Sequence, residues 1–267
     1  MAELARIYVR LIGARIRSQL QYRLSFALNI FGNALVSFLD FMAILIIFQQ
    51  VDALGEWSAA EVALLYAIAC VSFGLTDLAI GHLDLLPRMI REGEFDLVLV
   101  RPLGSLFQVV SSDFAMRRLG KALQGAVVLA IALAHLDVAW TAGKVAVLAL
   151  AIAAGILIYA GVWIVFSTVT FWFVDTQEVA NAFSYGGNFL AQYPINVFGP
   201  WLRRMVVFVV PLAFVAYFPA LYVLDKEDEL GLPRALQFVS PLVAVATLAV
   251  AAVVWRTAVR HYRSVGA

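Results

Sequence analysis

Residues 145–174 read VAVLALAIAAGILIYAGVWIVFSTVTFWFV, thirty positions without one Asp, Glu, Lys, Arg or His. A run of this kind leaves a chain few ways to fold. A helix needs about 20 apolar residues to cross a hydrocarbon core roughly 30 Å thick. Inside that core every backbone N–H and C=O must find its partner within the protein, which a helix does by itself. The rest of the 267-residue chain agrees: hydrophobic residues make up 63% and charged residues 14%, against about 25% charged in an ordinary soluble protein. So few charges could not cover a water-soluble surface of this size.

Six segments are apolar enough to expect spans: 24–48, 61–80, 122–136, 145–174, 205–224 and 236–255. The third is short unless Arg118 and Lys121 snorkel at its inner end. The fourth is too long for a straight crossing and is expected to tilt or to project from the bilayer. Pro211 and Pro219 interrupt the fifth, whose freed carbonyls would need partners in the bundle. Gly155 and Gly161 in the fourth are read as close-packing positions. The expected fold class is therefore an all-α membrane protein with six transmembrane helices, forming a single domain over 1–267. An even number of crossings puts both termini on one side.

Net charge is only +1, from 19 Lys and Arg against 18 Asp and Glu, which argues against a nucleic-acid partner. The average hides an asymmetry. With both termini cytoplasmic, Arg6, Arg10, Arg15, Arg17 and Arg23 lie inside. So do Arg88, Arg91, Arg101, Arg117, Arg118 and Lys121, then Arg203 and Arg204, then Arg256, Arg260 and Arg263. Only Lys144, Lys226 and Arg234 remain outside, as the positive-inside rule requires.

The first 23 residues carry no cleavage-site pattern after a short apolar core, so no cleaved signal peptide is expected. Leu4, Ile7, Tyr8, Leu11 and Ile12 follow one helical face while Arg6, Arg10 and Arg17 lie opposite. That pattern suits an amphipathic helix in the cytoplasmic interface; a basic tail that only sets topology is the alternative. The outer connections, 49–60 and 225–233, are too small for a binding domain. A second inner connection, 175–204, is rich in aromatic residues and broken by Gly186, Gly187, Pro194 and Pro200; it rests at the membrane surface or threads partly back into the bilayer.

The connection over 81–121 carries the most information. Asp84, Glu92, Glu94 and Asp96 alternate there with Arg88, Arg91 and Arg101, interleaved with Met89, Phe95, Leu97 and Leu99. Apolar anchors within a polar rim suit a soluble partner; a solvated loop whose apolar residues dip into lipid suits the same composition.

Motifs for chemistry are absent. There is no GxxxxGK[ST], no HExxH and no GxSxG, and His82, His135 and His261 are scattered. The one cysteine, Cys70, allows no internal disulfide and no multi-cysteine metal site. Polar residues inside spans are better clues, since an ionisable group there costs roughly 2.5–3.5 kcal/mol on insertion scales. Asn29, Asn33, Ser37 and Asp40 fall within an arc of about 80° on one helix. Tyr66, Cys70, Phe73 and Asp77 form a second narrow stripe. Such stripes either line a substrate path or bond neighbouring helices together.

Two motifs carry a resemblance. REGEFDLVLVRPLGSLFQ (91–108) is similar to the arginine–proline signature of a bacterial ABC permease family, and YPINVFGPWLRRMVVFVVPLAFVAYFPALYVL (193–224) resembles its second hallmark. YRLSFALNIFGN (22–33) fits as well. The chain thus resembles the permease subunits of export-class (type-2) ABC transporters over nearly its whole length.

The resemblance implies a non-enzymatic permease of the bacterial plasma membrane, paired with an identical or related permease above two copies of a separate ABC ATPase. ATP and Mg²⁺ would be bound by that ATPase and no cofactor by this chain. It implies export of a hydrophobic or amphipathic substrate by alternating access, and a coupling helix in the 81–121 connection. The residues expected to contact the ATPase or hold the loop's shape are Arg88, Arg91, Glu92, Glu94, Phe95, Asp96, Arg101 and Pro102. The pathway or interface candidates are Asn29, Asn33, Asp40, Tyr66 and Asp77. Two rival readings stand beside it: an ion-coupled secondary transporter using Asp40 or Asp77, and a non-transporting membrane partner.

Overall fold

The computed structural model describes residues 13, 21, 23–112, 116–173, 176–228 and 231–263. Leu4 to Ile12, and with them the expected interfacial helix, lie outside the described residues. Among the described residues all regular structure is helical, apart from one isolated bridge between Leu54 and Trp57. The helices are α1 (Arg23–Phe48), α2 (Ala59–Ile80), α3 (Leu86–Arg91), α4 (Glu94–Leu99), α5 (Ser105–Ser111) and α6 (Leu119–His135). After them come α7 (Ala142–Ser167), α8 (Gln177–Ala191), α9 (Pro200–Arg204), α10 (Tyr217–Val223) and α11 (Ser240–His261).

Four helices are long and apolar enough to cross a membrane: Ala27–Phe48, Ala59–Arg91, Ala142–Phe171 and Ser240–His261. Leu119–His135 is apolar but shorter, and Pro200–Val209 with Leu212–Val223 would make one more span only as a pair bent by 72°. The six expected spans thus reduce to four or five by length and composition.

α2 is the centre of the bundle. Of its most apolar stretch 72% is buried, against 17% for α1 and 22% for α11. Its start is set by a capping box: Ser58 Oγ accepts from the Glu61 N–H, and the Glu61 carboxylate accepts from the Ser58 N–H at 2.7 Å. The outer helices bury one narrow face each. On α1 that face is Ser37, Phe41 and Ile44, and on α11 it is Ala244, Ala251, Trp255 and Ala258. Leu28, Phe31 and Val36 of α1, like Leu242, Val245 and Val253 of α11, are exposed. A large apolar exterior around narrow packed faces, small-residue ones on α11 in particular, suits helices whose solvent is lipid.

Close approach between backbones depends on particular glycines. A Cβ on Gly74 of α2 would stand 2.6 Å from the Ala122 nitrogen of α6. One on Gly161 of α7 would stand 2.6 Å from Thr247 Cγ2 and 3.0 Å from that residue's carbonyl carbon on α11. The close-packing reading of Gly161 therefore holds.

The course of 176–224 departs from expectation. Thr176 and Ala180 lie with Leu83, Asp84 and Pro87 at the end of the bundle that carries the long connection. Phe183 stacks on Phe166, and Tyr159 meets Asn188, so α8 runs antiparallel to α7. By Asn196 the chain has reached Gly55, in the α1–α2 loop at the opposite end. It returns to that same loop at Lys226, whose ammonium bonds the Glu56 carbonyl and lies 3.0 Å from the Glu61 carboxylate. Residues 196–224 thus start and finish at one end. The connection expected over 175–204, at the membrane surface or threaded partly back into the bilayer, instead holds the helix α8 packed along α2 and α7, and the expected span over 205–224 is a bent element that dips in and comes back.

Pro211 sits at that bend, following a π-helical turn closed by the Val210 N–H on the Met205 carbonyl at 2.9 Å. Pro219 falls in the first turn of α10, where a missing N–H costs nothing. The carbonyl freed at Phe214 accepts from Ser240 Oγ of α11 at 2.7 Å. The last helix begins at Ser240 rather than near 236, because Arg234–Phe238 forms a 3-10 turn and Pro241 takes the first turn of α11.

Candidate coupling element and polar seam

α3, α4 and α5 divide the long connection into short pieces, and Gly93 allows the first break with a φ of +74°. Each piece turns an apolar side inward: Met89 and Ile90 from α3, Phe95 and Val98 from α4, Val109 from α5. Phe95 is fully buried, edge-on to Phe171 (5.2 Å between ring centroids) and Tyr262 (5.1 Å). Phe95 thus faces the bundle and not the exposed side of the connection.

Two further groups secure the connection. Gln108 Nε2 donates to the carbonyls of Val98 (2.9 Å) and Leu103 (2.7 Å), closing the turn that holds Arg101 and Pro102. Trp255 Nε1 donates to Ser105 Oγ at 3.1 Å, tying α5 to α11. Sequence reading missed Gln108, Phe171, Trp255 and Tyr262, since their roles depend on contacts between distant segments.

Away from the bundle the connection shows Arg88, Arg91, Glu92, Glu94, Arg101 and Pro102, all exposed, while Asp96 is half-buried. Arg88 and Glu92 form an exposed i,i+4 ion pair at 2.8 Å, which solvent screens and which adds little to stability. Among these charges protrude Leu97 (61% exposed), Leu99 and Val100 (80% exposed). The interleaving of charge and hydrophobe thus sorts by side: Met89 and Phe95 go in, Leu97 and Leu99 come out.

Beneath the connection runs a seam of polar side chains. The stripe Tyr66, Cys70, Phe73 and Asp77 lies wholly inside the bundle, covered by α6 and α8. The Tyr66 hydroxyl donates to the Ser37 carbonyl of α1 (2.8 Å) and is 3.3 Å from Gln124 Oε1. Gln192 Nε2 donates to Cys70 Sγ at 3.5 Å. Lys121 Nζ lies 4.6 Å from the centre of the Phe73 ring. The Asn188 amide, oriented by its neighbours, accepts from Lys121 (3.1 Å) and Gln192 (2.9 Å) and donates to the Ala69 carbonyl (3.3 Å). Arg118 Nη1 meets Asp77 Oδ1 at 2.5 Å. Asp84 accepts from Trp163 Nε1 (3.0 Å) and from the Tyr185 hydroxyl (3.1 Å).

Arg118 and Lys121 therefore fold inward over α2 and do not snorkel to the end of α6. The seam unites the candidates Tyr66 and Asp77 with residues of α6, α7 and α8.

The other candidates form a separate surface. Asn29, Asn33 and Asp40 lie exposed beside the buried face of α1, with Asn33 Nδ2 donating to the Asn29 carbonyl at 2.9 Å. Asp40 makes no ion pair within the described residues.

The family model described as "ABC-2 family transporter protein" matches residues 34–266. The chain belongs to the ABC-2 transporter family. No curated protein and no solved structure matches it. As an ABC-2 permease it is a multi-pass membrane protein and a component of an ABC transporter, and membership implies partnership with an ABC ATPase. In this permease the 81–112 connection and the largely buried polar seam adjoin at Asp84.

Proposed function

We propose that this permease is the transmembrane half of an ATP-driven exporter in a bacterial plasma membrane. It pairs with a second permease above two ATPase copies, which bind ATP and Mg²⁺, and moves a hydrophobic or amphipathic substrate by alternating access. The observation that carries the reading is the connection itself, braced on the bundle through Phe95 and Gln108 while it offers Leu97, Leu99 and Val100 in a ring of charges. A soluble partner recognises an apolar tip with a polar rim.

Orientation follows from charge. With the connection cytoplasmic, Arg88, Arg91, Arg101, Arg118 and Lys121 lie inside, with Arg256 and Arg260 at the end of α11. Moving Arg203 and Arg204 to the outer end, as the course of α8 requires, still leaves most basic residues inside. Six crossings then come from α1, α2, α6, α7, α8 and α11, with α9 and α10 re-entering from outside. Irregular backbone at that depth is tolerated where protein covers it.

The α1 stripe of Asn29, Asn33 and Asp40 supports the second permease, because amide and carboxylate groups are poorly suited to lipid. The seam speaks against an ion-coupled transporter using Asp77: a carboxylate 2.5 Å from a guanidinium is poorly placed to exchange protons or cations. Replacing Glu94 and Arg101 with alanine should reduce ATPase co-purification and uncouple its hydrolysis from substrate. Retained ATPase with full coupling would mean that the connection is not the docking element.

A further inference from the structure

The Asp77–Arg118–Asp84 group lies where the connection joins the spans, and the docking reading gives it no task. Asp77 ends α2. Asp84 stands in the 3-10 turn Gly81–Leu85, from which α3 continues directly. Arg118 precedes α6. Through Trp163 and Tyr185 the same carboxylate also reaches α7 and α8. Four spans and the root of the connection thus meet around one guanidinium. We infer that Arg118 is the positioning residue through which movement of the connection reaches the spans, exchanging between Asp77 and Asp84. This inference rests on the permease reading above.

Asymmetry in the cluster points to exchange. Arg118 holds Asp77 at 2.5 Å and also reaches the Asp77 carbonyl at 3.2 Å, while its other terminal nitrogen stands 3.9 Å from Asp84. Asp84 is held by two neutral donors, which bind more weakly than a charged one. A movement of the root by about an ångström would let the guanidinium form a full pair with Asp84, the kind of discrete alternative that carries coupling.

Gly81 is cut to fit this arrangement. A Cβ there would lie 1.3 Å from Arg118 Nη1 and 2.1 Å from Asp77 Oδ1. The guanidinium rests on bare backbone, so that Gly81 itself puts no side chain in its way. All three charged side chains are largely buried, at 17% exposure for Arg118, 10% for Asp77 and 15% for Asp84. Water is poorly placed to substitute for either partner, so the group is restricted to a few arrangements.

The experiment uses the permease assembled with its ATPase in nanodiscs, with buried Cys70 replaced by alanine and spin labels attached to introduced cysteines. One pair of labels, Gly104→Cys with Thr257→Cys, reports on the connection; Gly104 is exposed, open space surrounds a Cβ placed there, and it lies outside the docking tip. The other, Val51→Cys with Val145→Cys, reports on the far end of the bundle. In the otherwise unmodified complex, ATP with vanadate should shift both distances. Arg118→Gln should keep the shift at the connection and abolish the one at the far end. Gly81→Ala retains every charge yet displaces the guanidinium, so it should do the same, which covers the case in which Arg118→Gln does not assemble. Arg118→Lys, which keeps a cation within reach of one carboxylate at a time, should recover at least half of the far-end shift. A far-end shift of unmodified size in Arg118→Gln or Gly81→Ala overturns the inference, because a merely structural residue would lower yield and leave assembled complexes moving normally. If the unmodified chain retains no ATPase, the permease reading falls and this inference with it.

Discussion

Replacing Phe95 with alanine should loosen the connection without disturbing the spans, and the size of the effect follows from its surroundings. The ring is fully buried and touches Phe171 and Tyr262 edge-on. Removing a buried Phe costs about 3–5 kcal/mol. The lower end applies here, because Tyr262 is only half-buried and can close over part of the gap. If the loss falls on local opening of α3 and α4, about 3 kcal/mol raises the open population roughly 100-fold. Trypsin reads that population directly: Arg88 and Arg91 are exposed, but the backbone must unfold locally to enter a protease, and when reclosing is fast the cleavage rate follows the open fraction. Arg101 is a poor site, since Pro102 follows it. The expected outcome is cleavage after Arg88 and Arg91 accelerated by about two orders of magnitude, with the spans intact. Leu97→Ala is the control, because that side chain is 61% exposed and supports nothing beneath it. A Phe95→Ala rate within about twofold of the unmodified chain, or an equal acceleration in Leu97→Ala, would refute the assignment of inward and outward sides.

Other substitutions separate the remaining contacts. Leu97→Asp with Val100→Asp should weaken ATPase retention at least tenfold while leaving the tryptic pattern unchanged; normal retention would remove the apolar tip from the docking surface. Gly161→Val should push Thr247 away and lower stability by about 1–3 kcal/mol, seen as an earlier thermal transition in detergent; an unchanged transition would contradict the close α7–α11 crossing. Asp77→Asn leaves Arg118 without its nearest anion, and should cost about 2 kcal/mol, below the 3–5 found for fully buried pairs because Asp84 remains 3.9 Å away as a second carboxylate. A stable Asp77→Asn protein whose transport loses ion dependence would restore the secondary-transporter reading. Cysteines at Asn33 should cross-link across a permease pair if the α1 stripe faces its partner, and absence of the cross-link with efficient labelling would count against that face.

Several parts of this architecture can be read from residue order, and the reason differs from part to part. The long runs of α1, α2, α7 and α11 are legible because lipid demands apolar side chains over a set length, a condition local to each segment. The family was legible through two motifs, one on the connection and one on the element that returns at Pro211. Boundaries were less so. The sixth apolar run continues the hydropathy of 236–239, yet those residues form a turn, because Pro241 favours the first turn of a helix over its interior.

α8 was illegible for a more general reason. Its buried positions are Ala180, Ser184, Gly187, Asn188 and Ala191, a helical period of four, three, one and three. Hydropathy does not register that stripe, because it faces protein. Asn188 and Gln192 are spent on Lys121 and Cys70, and Gly187 leaves room for Leu212, which would stand 3.0 Å from a Cβ placed there. Two glycines read as breakers are, in one case at least, a packing notch for the re-entrant tip. The same holds for the seam: the polar stripe on α2 was visible, but whether it lines a path or joins helices depends on what lies opposite. Arg118, Lys121 and Gln124 recur every third residue on the face of α6 that meets it. Charges that resembled snorkelling anchors are therefore the counterpart of Asp77, and a stripe of this kind can be assigned only when its opposite face is known.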